Sequence, residues 1–127
     1  MKSKHKILIV DDDKFLLDMY AVKFEQSGFE VAASLGSTEA LARLKDGFLP
    51  DVILTDILMP AMSGFELLSR IKKEGLAKNA KIIILSNMGE KTDLNQGSKL
   101  KVDGYMIKAS MVPSEVVNKV AQVMKGK

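Results

Sequence analysis

Four segments carry the chemistry of this chain. Asp11-Asp12-Asp13 is a run of three acids directly after an apolar stretch. Asp56, Ser86 and Lys108 each end or follow another apolar stretch. Carboxylates brought together repel one another, and burying them is costly unless a cation is present. The chain has no cysteine and one histidine, His5, near its start. A hard divalent ion is therefore the natural partner, and Mg²⁺ favours carboxylates, water and a phosphate as ligands. Such a set suits phosphoryl transfer. A metal and a lysine neutralise the phosphoryl oxygens, a hydroxyl donates to one of them, and a carboxylate attacks in line.

These residues are far apart in sequence, so the fold must bring them together. Residues 6–10 (KILIV) form a continuous β-branched run, as expected of a parallel strand covered on both faces. Residues 29–34, 51–56, 81–86 and 104–107 are further strands. Between them lie amphipathic stretches with helical spacing. The first covers 14–27, with Asp13 as its cap and Gly28 as its stop. A second is capped by Ser37 or Thr38 and ends by Gly47. A third is capped by Ser63 and closes near Gly75. A fourth is expected at 90–100, broken by Gly97, with Leu94 and Leu100 able to face inward. The last starts at Pro113, which suits a first helical turn.

Strict alternation of five strands and five helices requires parallel strands, right-handed crossovers and helices on both faces of the sheet. The class is α/β, doubly wound. Ligands of such sheets bind outside the carboxyl ends of the strands, where strand order reverses. Asp11, Asp12, Asp56, Ser86 and Lys108 all fall at that edge. Taken singly they are ordinary: an acid at a helix start, a hydroxyl at a strand end, a surface lysine. Their joint placement makes the functional reading.

The hydrophobic fraction of 46% suffices for a core, and 127 residues suit one compact domain. Without cysteine, disulfides and thiolate metal sites are excluded. The apolar runs are too short to span a bilayer. The MKSKHK start lacks the long apolar region of a secretory signal, so a cytoplasmic location is expected. Residues 1–63 carry 7 basic and 10 acidic side chains, whereas residues 64–127 carry 12 and 6. The lysines are scattered, with little aromatic interleaving, so direct nucleic-acid binding is not expected.

The sequence resembles the receiver domain of two-component response regulators. The likeness rests on ILIVDDD at 7–13, DVILTDILMPAMSGFELL at 51–68, IIILS at 82–86 and GYMIK at 104–108. The spacings agree too: 45 residues from Asp11 to Asp56, 30 from Asp56 to Ser86 and 22 from Ser86 to Lys108. The resemblance implies a flavodoxin-like (β/α)5 fold with strand order 2-1-3-4-5, one receiver domain over residues 1–127. It implies that Asp56 accepts a phosphoryl group from a sensor histidine kinase, a phosphotransfer protein or a small phosphodonor. Asp11, Asp12, Asp56 and the backbone carbonyl of Leu58 would hold Mg²⁺. Lys108 would pair with the phosphoryl group, Ser86 would hydrogen-bond it, and Tyr105 would turn inward with Ser86 as a switch. Pro60 and Gly64 match the loop-shaping positions. The surface at residues 90–125 would meet a downstream effector or a second copy. His5 offers no relay histidine.

The chain departs from the family at Ala109, at Asn87 and in the stretch expected to form the fourth helix. Ala109 follows Lys108 where proline is usual, and a non-proline cis bond costs about 3–4 kcal/mol, so a trans bond and a remodelled loop to Pro113 are expected; with a trans bond, Lys108 would be aimed less firmly. Asn87 replaces a small residue after Ser86. Leu58 and Met88 flank the path of hydrolytic water, and neither orients a water, so slow loss of phosphate is expected. The polar run around Gly97 predicts a short or mobile helix. An alternative is a pseudo-receiver, an interaction module that does not use phosphate; Asp11, Asp12, Asp56, Ser86 and Lys108 speak against it. A phosphatase would need an acid/base group where Leu58 stands. No turnover enzyme is expected beyond self-phosphorylation and self-dephosphorylation.

Overall fold

The central strand explains the architecture. β1 (Lys6–Asp11) is buried from Ile7 to Asp11, so both its faces are covered. In the computed structural model, which describes residues 5–87, 102–108 and 111–125, it lies between two parallel neighbours. They are β2 (Glu30–Leu35) and β3 (Val52–Thr55); β4 (Lys81–Ser86) and β5 (Gly104–Ile107) complete the sheet. The strand order is β2-β1-β3-β4-β5, and every pairing is parallel. The chain leaves β1 towards β2 and then crosses back to β3. The reversal therefore falls between β1 and β3.

Alternate residues of the strands feed two cores. Ile7, Ile9, Leu54, Ile83 and Leu85 pack against α1 (Lys14–Gln26) and α4 (Pro113–Met124). Leu8, Val10, Ile53 and Ile84 pack against α2 (Ser37–Lys45) and α3 (Gly64–Lys73). Two-sided burial is why these strands are runs of Ile, Leu and Val without polar alternation. No helix among the described residues is long and apolar enough to cross a membrane.

The helix ends follow local chemistry. Asp13 caps α1, its side chain accepting from the Leu16 amide at 3.2 Å. Gly28 (φ 95°) closes α1, with bonds from the Gly28 amide to the Glu25 carbonyl at 3.1 Å and from the Phe29 amide to the Phe24 carbonyl at 3.0 Å. This is the Schellman pattern, and the Phe24 and Phe29 rings meet edge-on beside it at 5.1 Å. Phe29 thus belongs to the turn, and β2 begins one residue later than the sequence suggests. Ser63 caps α3 in a full capping box with Glu66.

One cap differs from expectation. Neither Ser37 nor Thr38 caps α2. The cap is Gly36 (φ 99°), which turns the chain straight from β2 into the helix. Ser37 is already helical, and its hydroxyl donates instead to the Met62 carbonyl at 2.9 Å, tying α2 to the loop before α3. Glu39 covers the strand end by accepting from the Leu35 amide at 2.6 Å. The helix expected at 90–100 and the Lys108–Ala109 bond lie outside the described residues.

Candidate functional site

Strand register builds the site. β1 and β3 pair Val10 with Thr55, and the Asp56 amide donates to the Val10 carbonyl at 3.0 Å. The next residue of each strand is thus an acid, so Asp11 and Asp56 end side by side. β4 and β5 pair Ser86 with Ile107, which puts Lys108 just beyond that pair at the same edge. Asp12 follows Asp11 into solvent.

Lys108 closes the site. Its Nζ lies 2.7 Å from Asp11 Oδ2 and 2.9 Å from Asp56 Oδ2, and only 8% of its side chain is exposed. The ammonium is aimed firmly into the acid pocket, although Ala109 stands where the family has proline. The looser aim is the expectation for a trans Lys108–Ala109 bond, which lies outside the described residues.

Backbone groups hold the remaining oxygens. The Asp13 amide donates to Asp11 Oδ1 at 3.0 Å, and the Ile57 amide donates to Asp56 Oδ1 at 2.7 Å. The Thr55 hydroxyl, itself buried, donates to the Asp56 carbonyl at 2.9 Å. Burial pushes the Asp11 carboxyl above the usual carboxylate range, against the opposing pull of Lys108 and the Asp13 amide. Burial alone would lower the Lys108 ammonium, but its bonds to Asp11 and Asp56 outweigh this and hold it above its ordinary value. Both groups respond to one fact: two buried carboxylates share one buried cation.

The loop after Asp56 is shaped around it. The Gly64 amide donates to the Ile57 carbonyl at 2.7 Å, and a Cβ on Gly64 would overlap the carbonyl oxygen of Asp56. Ala61 sits at φ 69°, in the left-handed region, just after Pro60. Glycine at 64 is a steric requirement of the acceptor loop.

Carboxylate oxygens of Asp11, Asp12 and Asp56 all lie within 4.8 Å of one another. Three carboxylates and one ammonium leave an excess of negative charge, and every available ligand atom is an oxygen. That donor set fits a hard divalent cation.

Ser86, Tyr105 and Leu58 are among the described residues. Ser86 is the last residue of β4 and is buried. Tyr105, paired in register with Ile84, is half-buried against the α2/α3 core. Leu58 points outward with 60% exposure. Met88 lies outside the described residues. Asp13 has the capping role read from the sequence, yet its amide also steadies Asp11. Sequence reasoning missed that amide, the Ile57 amide and the Thr55 hydroxyl. Only Thr55 left a signal, a hydroxyl at the last buried strand position before the acid. His5 lies 3.9 Å from Asp51 at the opposite edge of the sheet, away from the site.

The family model of the response regulator receiver domain matches residues 7–121. The chain belongs to this family. It is 35% identical over 119 residues to the phosphate regulon transcriptional regulatory protein PhoB of Pseudomonas aeruginosa, covering 94% of this chain and 51% of that protein. With PhoB of Escherichia coli K12 it shares 28% identity over 120 residues, covering 94% and 52%. The chain thus spans about half the length of these curated relatives. Among solved structures it resembles the chemotaxis protein CheY4 of Vibrio cholerae, with a TM-score of 0.87 and 26% identity over 95% of this chain and 99% of that one. A CheY-like receiver domain protein from Methanospirillum hungatei also gives 0.87, with 28% identity over 97% and 95%. This receiver shares their flavodoxin-like fold.

Proposed function

We propose that this receiver takes a phosphoryl group on Asp56 and uses it to bias a partner surface. The observation that carries this is the Lys108 ammonium between Asp11 and Asp56, at 2.7 and 2.9 Å, beside a third carboxylate. The family match over residues 7–121 supports reading residues 1–127 as one such domain.

Asp11, Asp12, Asp56 and the Leu58 carbonyl are the residues that would hold Mg²⁺. When bound, the ion would neutralise charge on the transferring phosphoryl group. A carboxylate oxygen of Asp56 attacks phosphorus, and the bond to the donor's leaving nitrogen or oxygen breaks. Lys108, already bonded to Asp56, passes to a phosphoryl oxygen without leaving its burial site. Ser86 donates to another. Phosphorylation adds nearly two negative charges, and the pull on Ser86 and Lys108 is transmitted to the loops after β4 and β5. Tyr105 of β5, paired with Ile84, would turn inward with Ser86. The donor is a sensor histidine kinase or a phosphotransfer protein, and the output passes through the 90–125 surface to an effector or a second copy. Self-phosphorylation and self-dephosphorylation are the only reactions proposed.

Intact mass after treatment with a small phosphodonor and Mg²⁺ tests this. A phosphate adduct in the parent chain and none in Asp56→Asn is expected. No adduct in either would favour the pseudo-receiver. The exposed Leu58 offers a second test. Leu58→Asn, which places a polar group beside the acceptor, should speed loss of phosphate several-fold. An unchanged decay would remove Leu58 as a cause of slow hydrolysis.

A further inference from the structure

The acid pocket occupies the carboxyl edge of the sheet. Near the opposite edge, between α3, β4 and the loop joining them, lies a cavity of about 210 Å³. Leu68 and Ile71 of α3 and Ile82 of β4 give it an apolar floor.

The loop has a defined backbone shape. Gly75 (φ 69°) and Ala77 (φ 46°) both adopt left-handed backbone. The Leu76 amide ties back to the Ile71 carbonyl at 2.9 Å, and the Ala80 amide to the Ala77 carbonyl at 3.1 Å. The wall residues Ala77 and Ala80 are too small to fill the space between them.

The mouth is cationic. Of the acids near it, Asp103 is held by the Ile82 amide at 2.7 Å, and the loop itself carries one, Glu74. Glu74 turns away to Lys45 of α2, at 3.4 Å. Lys72 and Lys78 line the cavity and reach solvent. The Lys78 stem folds over the rim, its Cε 3.4 Å from where a Cβ on Gly75 would lie.

An apolar hole of about 150 Å³ is enough to take up benzene. We propose that this cavity binds a small amphipathic carboxylate, one aromatic ring or short chain bearing a single negative charge. Its apolar body lies against Leu68, Ile71 and Ile82, and its carboxylate meets Lys72 and Lys78. A neutral apolar molecule fills the hollow but forgoes the ion pair. A nucleotide satisfies the lysines but must press polar groups onto Leu68 and Ile71. The combination therefore selects one chemical class. None of the residues lining it belongs to the acid pocket.

Amide NMR titration with phenylacetate, against phenylacetamide as its neutral counterpart, tests the proposal. Saturable shifts at Leu76, Ala77 and Ile82 are expected. Phenylacetamide and the Lys72→Gln/Lys78→Gln double variant should each bind about fivefold more weakly, the scale of an exposed ion pair. Ala80→Leu, which fills the hollow, should abolish binding; the double lysine variant, altered only on the surface, keeps the test valid if Ala80→Leu fails to fold. Absence of saturation, equal affinity for the amide, unchanged binding by the double variant, or shifts centred on Asp56 would each overturn it.

Discussion

The two ends of the sheet are built on opposite terms. At the carboxyl edge, polar side chains from β1, β3 and β5 meet and satisfy one another, with Lys108 shared by Asp11 and Asp56. Near the other edge, between α3 and β4, the space is shaped by backbone turns and left apolar inside, with its charges at the rim. Positional accuracy therefore costs differently at each end. The acid pocket depends on a few buried contacts that admit no substitute, whereas the α3–β4 hollow depends on backbone conformations that tolerate moderate change.

A pair of glycines separates these terms most sharply. Gly64→Ala would drive a Cβ into the Asp56 carbonyl, so the acceptor loop must move. A loss of about 3 kcal/mol in urea unfolding is expected, together with loss of the phosphate adduct. Adduct formation at the parental rate would show that the carboxyl edge is more pliant than its packing implies.

Lys108→Ala comes next. It leaves two buried carboxylates facing each other, and a cost of about 2 kcal/mol is expected, below that of a fully enclosed pair because Asp12 opens the pocket to water. Asp11→Asn in the same chain should recover part of it, as should Mg²⁺. A double variant no more stable than Lys108→Ala would argue against charge repulsion as the cause.

Gly75→Ala probes the other end. It forces a side chain into φ 69° with only the flexible Lys78 stem nearby. A loss of about 1 kcal/mol is expected, with phosphorylation of Asp56 unaltered. An effect as large as that of Gly64→Ala would erase the contrast.

The smallest effect lies on β2, where Ser34 pairs with Val10 just before the acid pocket. Ser34 of β2 is fully buried, and its hydroxyl has no hydrogen-bond partner among the described residues. Ser34→Ala should gain about 0.5 kcal/mol by removing that unsatisfied group. Destabilisation on thermal unfolding would mean the hydroxyl is served after all.

How far the sequence discloses these features follows from the same contrast. Asp11, Asp12, Asp56, Ser86 and Lys108 were legible because a doubly wound sheet places its site at strand ends, and their residue types are informative there. The amides of Asp13 and Ile57 were not, because every residue but proline carries that donor and only conformation selects it. The α2 cap was misread for a related reason. Ser37 and Thr38 have the right side chains, but Gly36 supplies the conformation that decides where the helix begins. The cavity left no signal, since Ala77 and Ala80 say nothing about the space they fail to fill.

The two sheet faces have a spectroscopic consequence. The chain has no tryptophan and two tyrosines. Tyr20 is buried in the α1/α4 layer, and Tyr105 is half-buried in the α2/α3 layer. Each layer thus contains one native fluorophore. With Tyr105→Phe, the remaining ultraviolet emission comes from the α1/α4 side alone, and the difference from the parent chain reports the side where Tyr105 packs. No label is needed to tell the halves apart.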